Sequence, residues 1–253
     1  MNQAEIFRAD SNIALTQQRE DMAAIFRWTS RLGMHESVAN HFSLAVNETS
    51  SQFLINPNGR HFANMRASEL LLLDANDLST MESVDSPDPT AWAIHSAIHR
   101  NVPQARCVIH LHPHYATALA SLADSRLPPI DQNAMRFYGR TAIDDGFNGM
   151  GLGEEADRLA GLLGNYSVLL MGNHGIMTVG ETVALAFSHL YYFEKACRNY
   201  ITALSAGLPL RVADDEIARK TAQQWDSFIV PLANSHLREI REILDREEPE
   251  YKL

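Results

Sequence analysis

Two apolar runs that each lead directly into histidine constrain this chain more than any other feature. The first, Cys107-Val108-Ile109, is followed by His110-Leu111-His112. The second, Ser167-Val-Leu-Leu-Met171, is followed by Gly172-Asn-His174-Gly. Short apolar runs bounded by turn residues are typical of buried strands. Because residues i and i+2 of a strand project from the same face, roughly 6–7 Å apart, the pattern predicts that His110 and His112 converge on one point.

These three histidines form the ligand set expected of a metal site. A lone histidine in a core strand is more often a hydrogen-bonded structural residue, but a His-x-His pair with a third histidine after another strand favours metal binding. Three imidazoles leave one position open, as in catalytic rather than structural sites. We expect one divalent ion per subunit, zinc first, with manganese, iron or cobalt as alternatives.

Composition excludes several classes of partner. The net charge of −10 over 253 residues argues against a nucleic-acid-binding surface, which is normally basic. No apolar run approaches the roughly 20 residues that cross a bilayer, and no secretory signal is visible. The two cysteines are far apart in the sequence and do not indicate a disulfide framework. We therefore expect a cytoplasmic protein without membrane or nucleic-acid partners.

The hydrophobic pattern predicts one α/β domain over residues 1–253. Helical spacing covers residues 13–32, 90–99, 114–122, 154–163, 181–206, 214–229 and 232–247. Extended segments are predicted at 41–46, 52–55, 70–74, 107–112, 137–143, 167–171 and 176–179. No strand is followed by a glycine-rich phosphate loop, so a nucleotide-binding Rossmann unit is not expected.

Several motifs together resemble the class II aldolase/adducin family, which contains metal-dependent fuculose- and ribulose-phosphate aldolases, epimerases and the adducin head domain. They are Asn40-His-Phe-Ser43, Phe53-Leu-Ile-Asn-Pro-Asn-Gly59, His95…His99, Val108-Ile-His-Leu-His112 and Gly172-Asn-His174-Gly. The resemblance covers residues from about 14 to 206, followed by C-terminal helices at about 214–247. It implies a three-layer αβα domain with a central, mostly antiparallel sheet flanked by helices. It also implies a metal site at His110, His112 and His174, and a homotetramer with active sites between subunits.

The sequence departs from the sugar-phosphate aldolases of this family at two positions. Those enzymes carry a glutamate, the general acid/base, four residues ahead of the histidine that matches His95, and here that position is Ala91. The turn that helps to bind phosphate has Asn58 where serine or threonine is usual. Both changes count against a standard phosphosugar aldolase.

The expected function is a metal-dependent carbon–carbon lyase acting on a small oxygenated carboxylate through a metal-stabilised enolate. Retro-aldol cleavage and decarboxylation both form an enolate whose negative charge must be stabilised. A bound metal ion can stabilise it as a Lewis acid. Retro-aldol cleavage also needs a base for the substrate hydroxyl proton, whereas decarboxylation does not. Loss of the glutamate therefore favours decarboxylation, or aldol chemistry with a relocated base.

Other side chains are candidates for the site. His95, His114 and Tyr138 are the candidate catalytic groups, and Asp88 and Tyr115 are further possible substitutes for the base. Asn40, Asn58, Gly59 and Arg136 are the candidate substrate-binding residues; Arg136 suits a carboxylate. Each also has an ordinary role open to it: capping or core hydrogen bonding for His95, support of a ligand for His114, a turn for Asn40 and a surface ion pair for Arg136.

Two alternative functions remain open at this stage. One is an adducin-like interaction module that keeps the fold without chemistry, although such a module has no need to retain three metal histidines. The other is a metal-dependent sugar-phosphate aldolase or epimerase with a relocated base.

Overall fold

The computed structural model describes residues 3–82, 86–146, 149–150 and 152–253, with the backbone alone for residues 3–12. Its helices are α1 Gln3–Arg31, α2 Pro89–Asn101, α3 His114–Ala120, α4 Gln132–Arg136, α5 Glu154–Leu163, α6 Val183–Ser205, α7 Asp215–Trp225 and α8 Ile229–Glu247. Its strands are β1 His41–Ala45, β2 Gln52–Ile55, β3 Leu71–Asp74, β4 Cys107–Leu111, β5 Thr141–Asp144, β6 Val168–Met171 and β7 Gly175–Gly180. Among these residues, no helix is both long enough and apolar enough to span a bilayer.

The strands form one sheet in the order β3-β2-β1-β4-β7-β6-β5. Every neighbouring pair is antiparallel except β5 and β6, which are parallel. β4 is the middle strand and is buried along its whole length. The His110 strand therefore lies where the sheet is best covered by helices.

Helices cover both faces of the sheet. Along β4, side chains alternate between the two faces as a pleated strand requires: Cys107, Ile109 and Leu111 join the larger core, which is covered by α1, α3, α6 and α8. Val108 joins the second core, which is packed under α2 and α5. By the same alternation, His110 projects from the α2 side. The expected three-layer αβα domain with a mostly antiparallel sheet is confirmed.

Most predicted elements are confirmed, with shifted ends. Helix α1 extends back to Gln3, well before the predicted start at residue 13. The helix predicted over 214–229 ends at Trp225, and the helix predicted over 232–247 begins earlier, at Ile229. Pro231 then lies in the first turn of α8, where proline is tolerated.

One predicted element is wrong over part of its length. The segment 137–143 was expected to be extended, but only Thr141–Asp144 forms a strand. Helix α4 precedes it, capped by the side chain of Asp131, which accepts from the Ala134 N–H. Residues 137–139 then form a turn in which Gly139 has φ +70°. The capping residue and the glycine are local turn signals that the apolar pattern alone did not reveal.

Candidate metal centre

Three histidines meet at one end of the central strands. His110, on β4, stands opposite His41 of β1 and Met177 of β7. His112 lies one residue beyond the end of β4, and His174 lies in the turn between β6 and β7. The ring centroids of the three histidines are 4.8–5.0 Å apart. The predicted convergence of the two chain segments is present.

The glycine after His174 makes room for this arrangement. A Cβ atom on Gly175 would lie 2.5 Å from Cδ2 of His112 and 2.6 Å from the Leu111 carbonyl oxygen. Both distances are shorter than any tolerated carbon contact, so a side chain at position 175 would displace the His112 ring. The Gly-Asn-His-Gly turn thus contributes His174, and the lack of a side chain at Gly175 leaves room for the His112 ring.

Hydrogen bonds fix which ring nitrogens face the centre. Nδ1 of His110 lies 3.1 Å from the Ile176 carbonyl oxygen, and Nδ1 of His112 lies 2.6 Å from Oε2 of Glu36. A carbonyl and a carboxylate only accept hydrogen bonds, so each neutral ring carries its proton on Nδ1. The two Nε2 atoms, 3.2 Å apart, then present lone pairs to each other. Such a pair is repulsive unless a cation lies between the atoms.

Burial keeps the rings of His110 and His174 uncharged at neutral pH. Desolvation, reinforced by the neighbouring histidines, holds the pKa of His110 well below its usual value. Burial and His112 lower the pKa of His174 to about 4, against an opposing effect of Glu155 and Asp144. Imidazoles must be neutral to bind a metal. One nitrogen from each of the three rings lies within 4.8 Å of the others, so the donor set fits a divalent ion such as zinc.

The histidines form one end of a cavity of about 420 Å³. The other walls combine amides (Asn40, Asn56, Asn58), two residues at the start of α2 (Asp88, Thr90) and apolar groups, among them Ala91, Ile94 and Met150. Of the residues that the structure describes, no lysine or arginine lines this cavity. A metal ion would therefore supply the local positive charge.

Asn40 has the features of a substrate-binding residue. It adopts φ +75°, a strained conformation for a residue with a side chain. Its Oδ1 accepts from the Glu36 N–H, and its carbonyl accepts from Asn56 Nδ2. Its own Nδ2 is buried and has no hydrogen-bond partner among the described residues. Since Asn40 lines the cavity, this amide can donate to a bound oxygen. Two other predicted binding residues, Asn58 and Gly59, lie in the turn that follows β2; Asn58 lines the cavity and Gly59 does not.

His95 lies behind the cavity rather than in it. Its side chain is fully buried, and both ring nitrogens are occupied: Nε2 lies 2.7 Å from His41 Nδ1, and Nδ1 lies 2.5 Å from Ser43 Oγ. The structure therefore places His95 out of reach of a substrate, and His41 lines the cavity in its place. Sequence reasoning assigned no role to His41, because only the pairing of β1 with β4 puts it opposite His110.

Of the other candidates for the base, Asp88 lines this cavity, whereas His114, Tyr115 and Tyr138 lie away from it. His114 begins α3 and lines a separate surface pocket with Tyr115, Glu194 and Arg198. The hydroxyl of Tyr138 donates to Asp215 on α7 over 2.5 Å.

Arg136 is the clearest departure from expectation. Its guanidinium is buried, stacks over the rings of Tyr192 and Trp225 and donates to Ser188. Burial lowers its pKa to about 10. Among the described residues it neither lines this cavity, as predicted for a substrate-binding residue, nor forms the surface ion pair that was the alternative.

Comparisons with known proteins agree with this architecture. Residues 20–201 match the family model described as "Class II Aldolase and Adducin N-terminal domain". The chain is 31% identical to a putative aldolase class 2 protein of Caulobacter vibrioides, over 93% of this chain and 91% of that protein. It is 30% identical to decarboxylase NovR of Streptomyces niveus, over 82% and 77% of the two chains. A solved aldolase II superfamily protein from Pseudomonas syringae superposes with a TM-score of 0.86 at 30% identity, covering 95% and 96%.

Proposed function

The chain is a member of the class II aldolase and adducin family, and from that premise we propose that it is a divalent-metal-dependent carbon–carbon lyase. We infer that its substrate is a small oxygenated carboxylate without a phosphate group. The observation that carries the proposal is the meeting of the His110 and His112 Nε2 lone pairs beside His174. When bound there, a divalent ion would act as a Lewis acid that withdraws electron density from a substrate oxygen.

The cavity wall supports a substrate without phosphate. A phosphate group needs cationic or abundant N–H donors, and the described lining residues include no lysine or arginine. Asp88 lines the same wall and adds negative charge unfavourable to a dianion. The cavity wall does offer the amide of Asn40, whose Nδ2 has no hydrogen-bond partner among the described residues and suits one carboxylate or hydroxyl oxygen.

The absence of a carboxylate at position 91 supports decarboxylation over retro-aldol cleavage. Ala91 is buried against the cavity and cannot take up a proton. The carboxylate of Asp88, one turn away, already accepts from the Thr90 N–H at the start of α2. Decarboxylation starts from a carboxylate that is already deprotonated and leaves as CO₂, so it does not require this base. The 30% identity to a protein named as a decarboxylase agrees with this choice.

Assembly and location complete the proposal. We infer a cytoplasmic homotetramer whose sites lie between subunits, with zinc as the first candidate for the ion. In that arrangement His114 and Tyr138, which lie away from the cavity of their own subunit, would act at the cavity of a partner. The two cysteines are free and buried, in agreement with a reducing compartment.

The metal content of purified protein tests the proposal. We expect about one divalent ion per chain in the wild type, and at least a tenfold loss of affinity in His110→Ala and His112→Ala. His236→Ala is the control, since this partly buried histidine packs on Phe187 and Tyr191, away from the cavity. A wild type that binds no divalent ion would leave the adducin-like module as the better interpretation.

The reaction is tested by measuring CO₂ and aldehyde release from a panel of oxygenated and aromatic acids. CO₂ release that depends on the metal supports decarboxylation. Aldehyde without CO₂ would instead identify an aldolase with a relocated base, and interconversion of sugar phosphates without cleavage would identify an epimerase.

A further inference from the structure

The turn that carries His174 is held by backbone hydrogen bonds to two other parts of the chain. The Gly172 N–H donates to the Asp144 carbonyl over 2.8 Å, and the Asn173 N–H donates to the Ala120 carbonyl over 3.0 Å. Asp144 is the last residue of β5, and Ala120 is the last residue of α3. The place of His174 at the metal centre therefore depends on where β5 and α3 end.

The contact between the turn and β5 is especially close. Asp144 is the Cα partner of Met171 in the parallel pair of β5 and β6, directly before the turn. A Cβ atom on Gly172 would lie 2.6 Å from the Asp144 carbonyl oxygen. Backbone thus packs on backbone, and no flexible side chain lies between them to absorb a shift. A displacement of Asp144 would consequently displace the turn.

Strand β5 is weakly held by the sheet itself. It has four residues and lies at the edge, so that among the described strands it pairs with β6 only. This pairing is parallel, which is slightly less stable per residue than antiparallel pairing. The end of β5 therefore gains from a further attachment, and helix α5 provides one.

The attachment is an ion pair between Asp144 and Arg158 of α5. Nη1 of Arg158 donates to Oδ1 of Asp144 over 2.7 Å, and Nη2 donates to Oδ2 over 2.9 Å. Two parallel N–H···O bonds of this kind fix the relative orientation of both groups. The Asp144 side chain is only 4% exposed. Burial by itself would raise its pKa, but hydrogen bonds from Arg158 and the Gly146 N–H hold the pKa below its usual value, so the carboxylate is charged at neutral pH.

Glu155 offers a way to separate this ion pair from the charge around it. It lies one turn before Arg158 on α5, is 7% exposed, and accepts from Nη2 of Arg158 over 3.1 Å. Its negative charge belongs to the same buried cluster, but the N–H of Gly172 donates to Asp144. A change at Glu155 alters the charge of the cluster and leaves the ion pair of Asp144 with Arg158 in place.

We propose that Asp144 and Arg158 are positioning residues for the metal centre: their ion pair holds the end of β5 against the turn and so places His174 beside His110 and His112 before a metal binds. This rests on the proposed metal-dependent function and identifies the part of the fold that prepares its third ligand. A ligand that is already in place loses less conformational freedom on binding, which raises affinity.

Hydrogen exchange on metal-free protein tests the effect on the turn. We expect Asp144→Ala to raise the exchange rates of the Gly172 and His174 amides at least tenfold by local opening, and to leave the amides of β4 at wild-type rates. Arg158 is partly exposed and keeps Glu155 as a partner, so this variant leaves no buried cation unpaired. Unchanged rates in the turn would overturn the proposal. So would an equal rise throughout β4, because that reports a general loss of stability.

Zinc affinity, measured by competition with a chelator, tests the consequence for the metal. We expect at least a tenfold loss in Asp144→Ala, in the range found for outer partners of ligating histidines. Glu155→Gln removes one negative charge and still offers Arg158 an acceptor, so its zinc affinity and turn exchange should stay at wild-type values. Equal losses in the two variants would overturn the proposal, because the charge of the cluster and not the position of His174 would then explain them.

Arg158→Lys tests whether Arg158 acts through Asp144. Lysine keeps the positive charge beside Glu155 but cannot form the two parallel bonds, so we expect a smaller loss of zinc affinity than in Asp144→Ala. In the Asp144→Ala background the same change should cause no further loss. A further loss there would overturn the role of Arg158. A wild type that binds no zinc would instead reject the metal-dependent function, whereas exchange rates measured without metal still decide whether the ion pair holds the turn.

Discussion

At the scale of single residues, each ring that faces the centre from β4 is oriented by a group distant in sequence. Nδ1 of His110 donates to the Ile176 carbonyl, and Nδ1 of His112 donates to Glu36. The His-x-His spacing predicts which residues at the end of β4 could bind a metal. It does not reveal Glu36, which lies in the loop between α1 and β1 and meets His112 only after folding.

Removal of Glu36 should therefore weaken metal binding without removing a ligand. Outer hydrogen-bond partners of ligating histidines are worth roughly 10–100-fold in metal affinity. We expect a loss in that range for Glu36→Ala, and a smaller loss for Glu36→Gln, whose amide oxygen can still accept from Nδ1 of His112. A chelator competition assay with zinc measures both.

Glu48→Ala is the matched control, because this exposed glutamate lies in the loop between β1 and β2. It carries the same charge and should leave zinc affinity unchanged. Equal affinities in wild type and Glu36→Ala would mean that the His112 orientation does not depend on Glu36.

At the scale of elements, the register of β4 against its neighbours decides which side chains share the site. Pairing with β1 sets His41 opposite His110, and pairing with β7 brings Gly175 under the His112 ring. A shift of β1 by one residue would turn Phe42 towards α2 and His41 into the larger core. The site is thus a consequence of strand pairing as much as of residue type.

Gly175→Ala tests the close approach between β7 and His112. The added Cβ would lie 2.5 Å from the His112 ring, so the ring or the strand must move. We expect a loss of about 1–3 kcal/mol in the free energy of unfolding and at least a tenfold loss of zinc affinity. Urea denaturation and zinc titration measure the two effects.

Gly161→Ala provides the comparison, since a Cβ at this position in α5 meets no atom within 4 Å. In a helix interior that change should stabilise the protein by about 0.5–1 kcal/mol. Wild-type zinc affinity in Gly175→Ala would argue against a His112 position fixed by this contact.

At the scale of the whole molecule, buried neutral histidines make stability depend on pH. Burial lowers the pKa of His99 to about 3 and that of His189 to about 4. In the unfolded chain both titrate near 6.5. Between pH 6.5 and about 4 the unfolded state therefore binds more protons than the folded state. The contribution of these two histidines to the free energy of unfolding is therefore present in full above pH 6.5, and it is lost as the pH falls through this window.

His189→Asn isolates one such group away from the metal centre. Asparagine can still donate to the Val179 carbonyl, which Nδ1 of His189 contacts over 2.8 Å, but it does not titrate. We expect the slope of unfolding free energy against pH to fall by up to about 1.4 kcal/mol per pH unit between pH 6.5 and 4. Urea denaturation at half-unit intervals gives this slope. Identical slopes in wild type and variant would show that His189 is not held neutral by the fold.

The sequence by itself determined most of the elements and the candidate metal-binding residues, because both follow from local patterns. Apolar runs specified β2, β4 and β6 to within a residue or two, and the histidines that follow β4 and β6 were identified by spacing. The tertiary structure alone decided which other groups join them. The pairing of β1 with β4 placed His41 at the cavity where His95 was expected, and the fold of the loop between α1 and β1 brought Glu36 to His112. Helix packing buried Arg136 among aromatic rings away from the site. Hydrogen bonds between residues dozens of positions apart depend on how strands pair and helices pack, which no local pattern encodes.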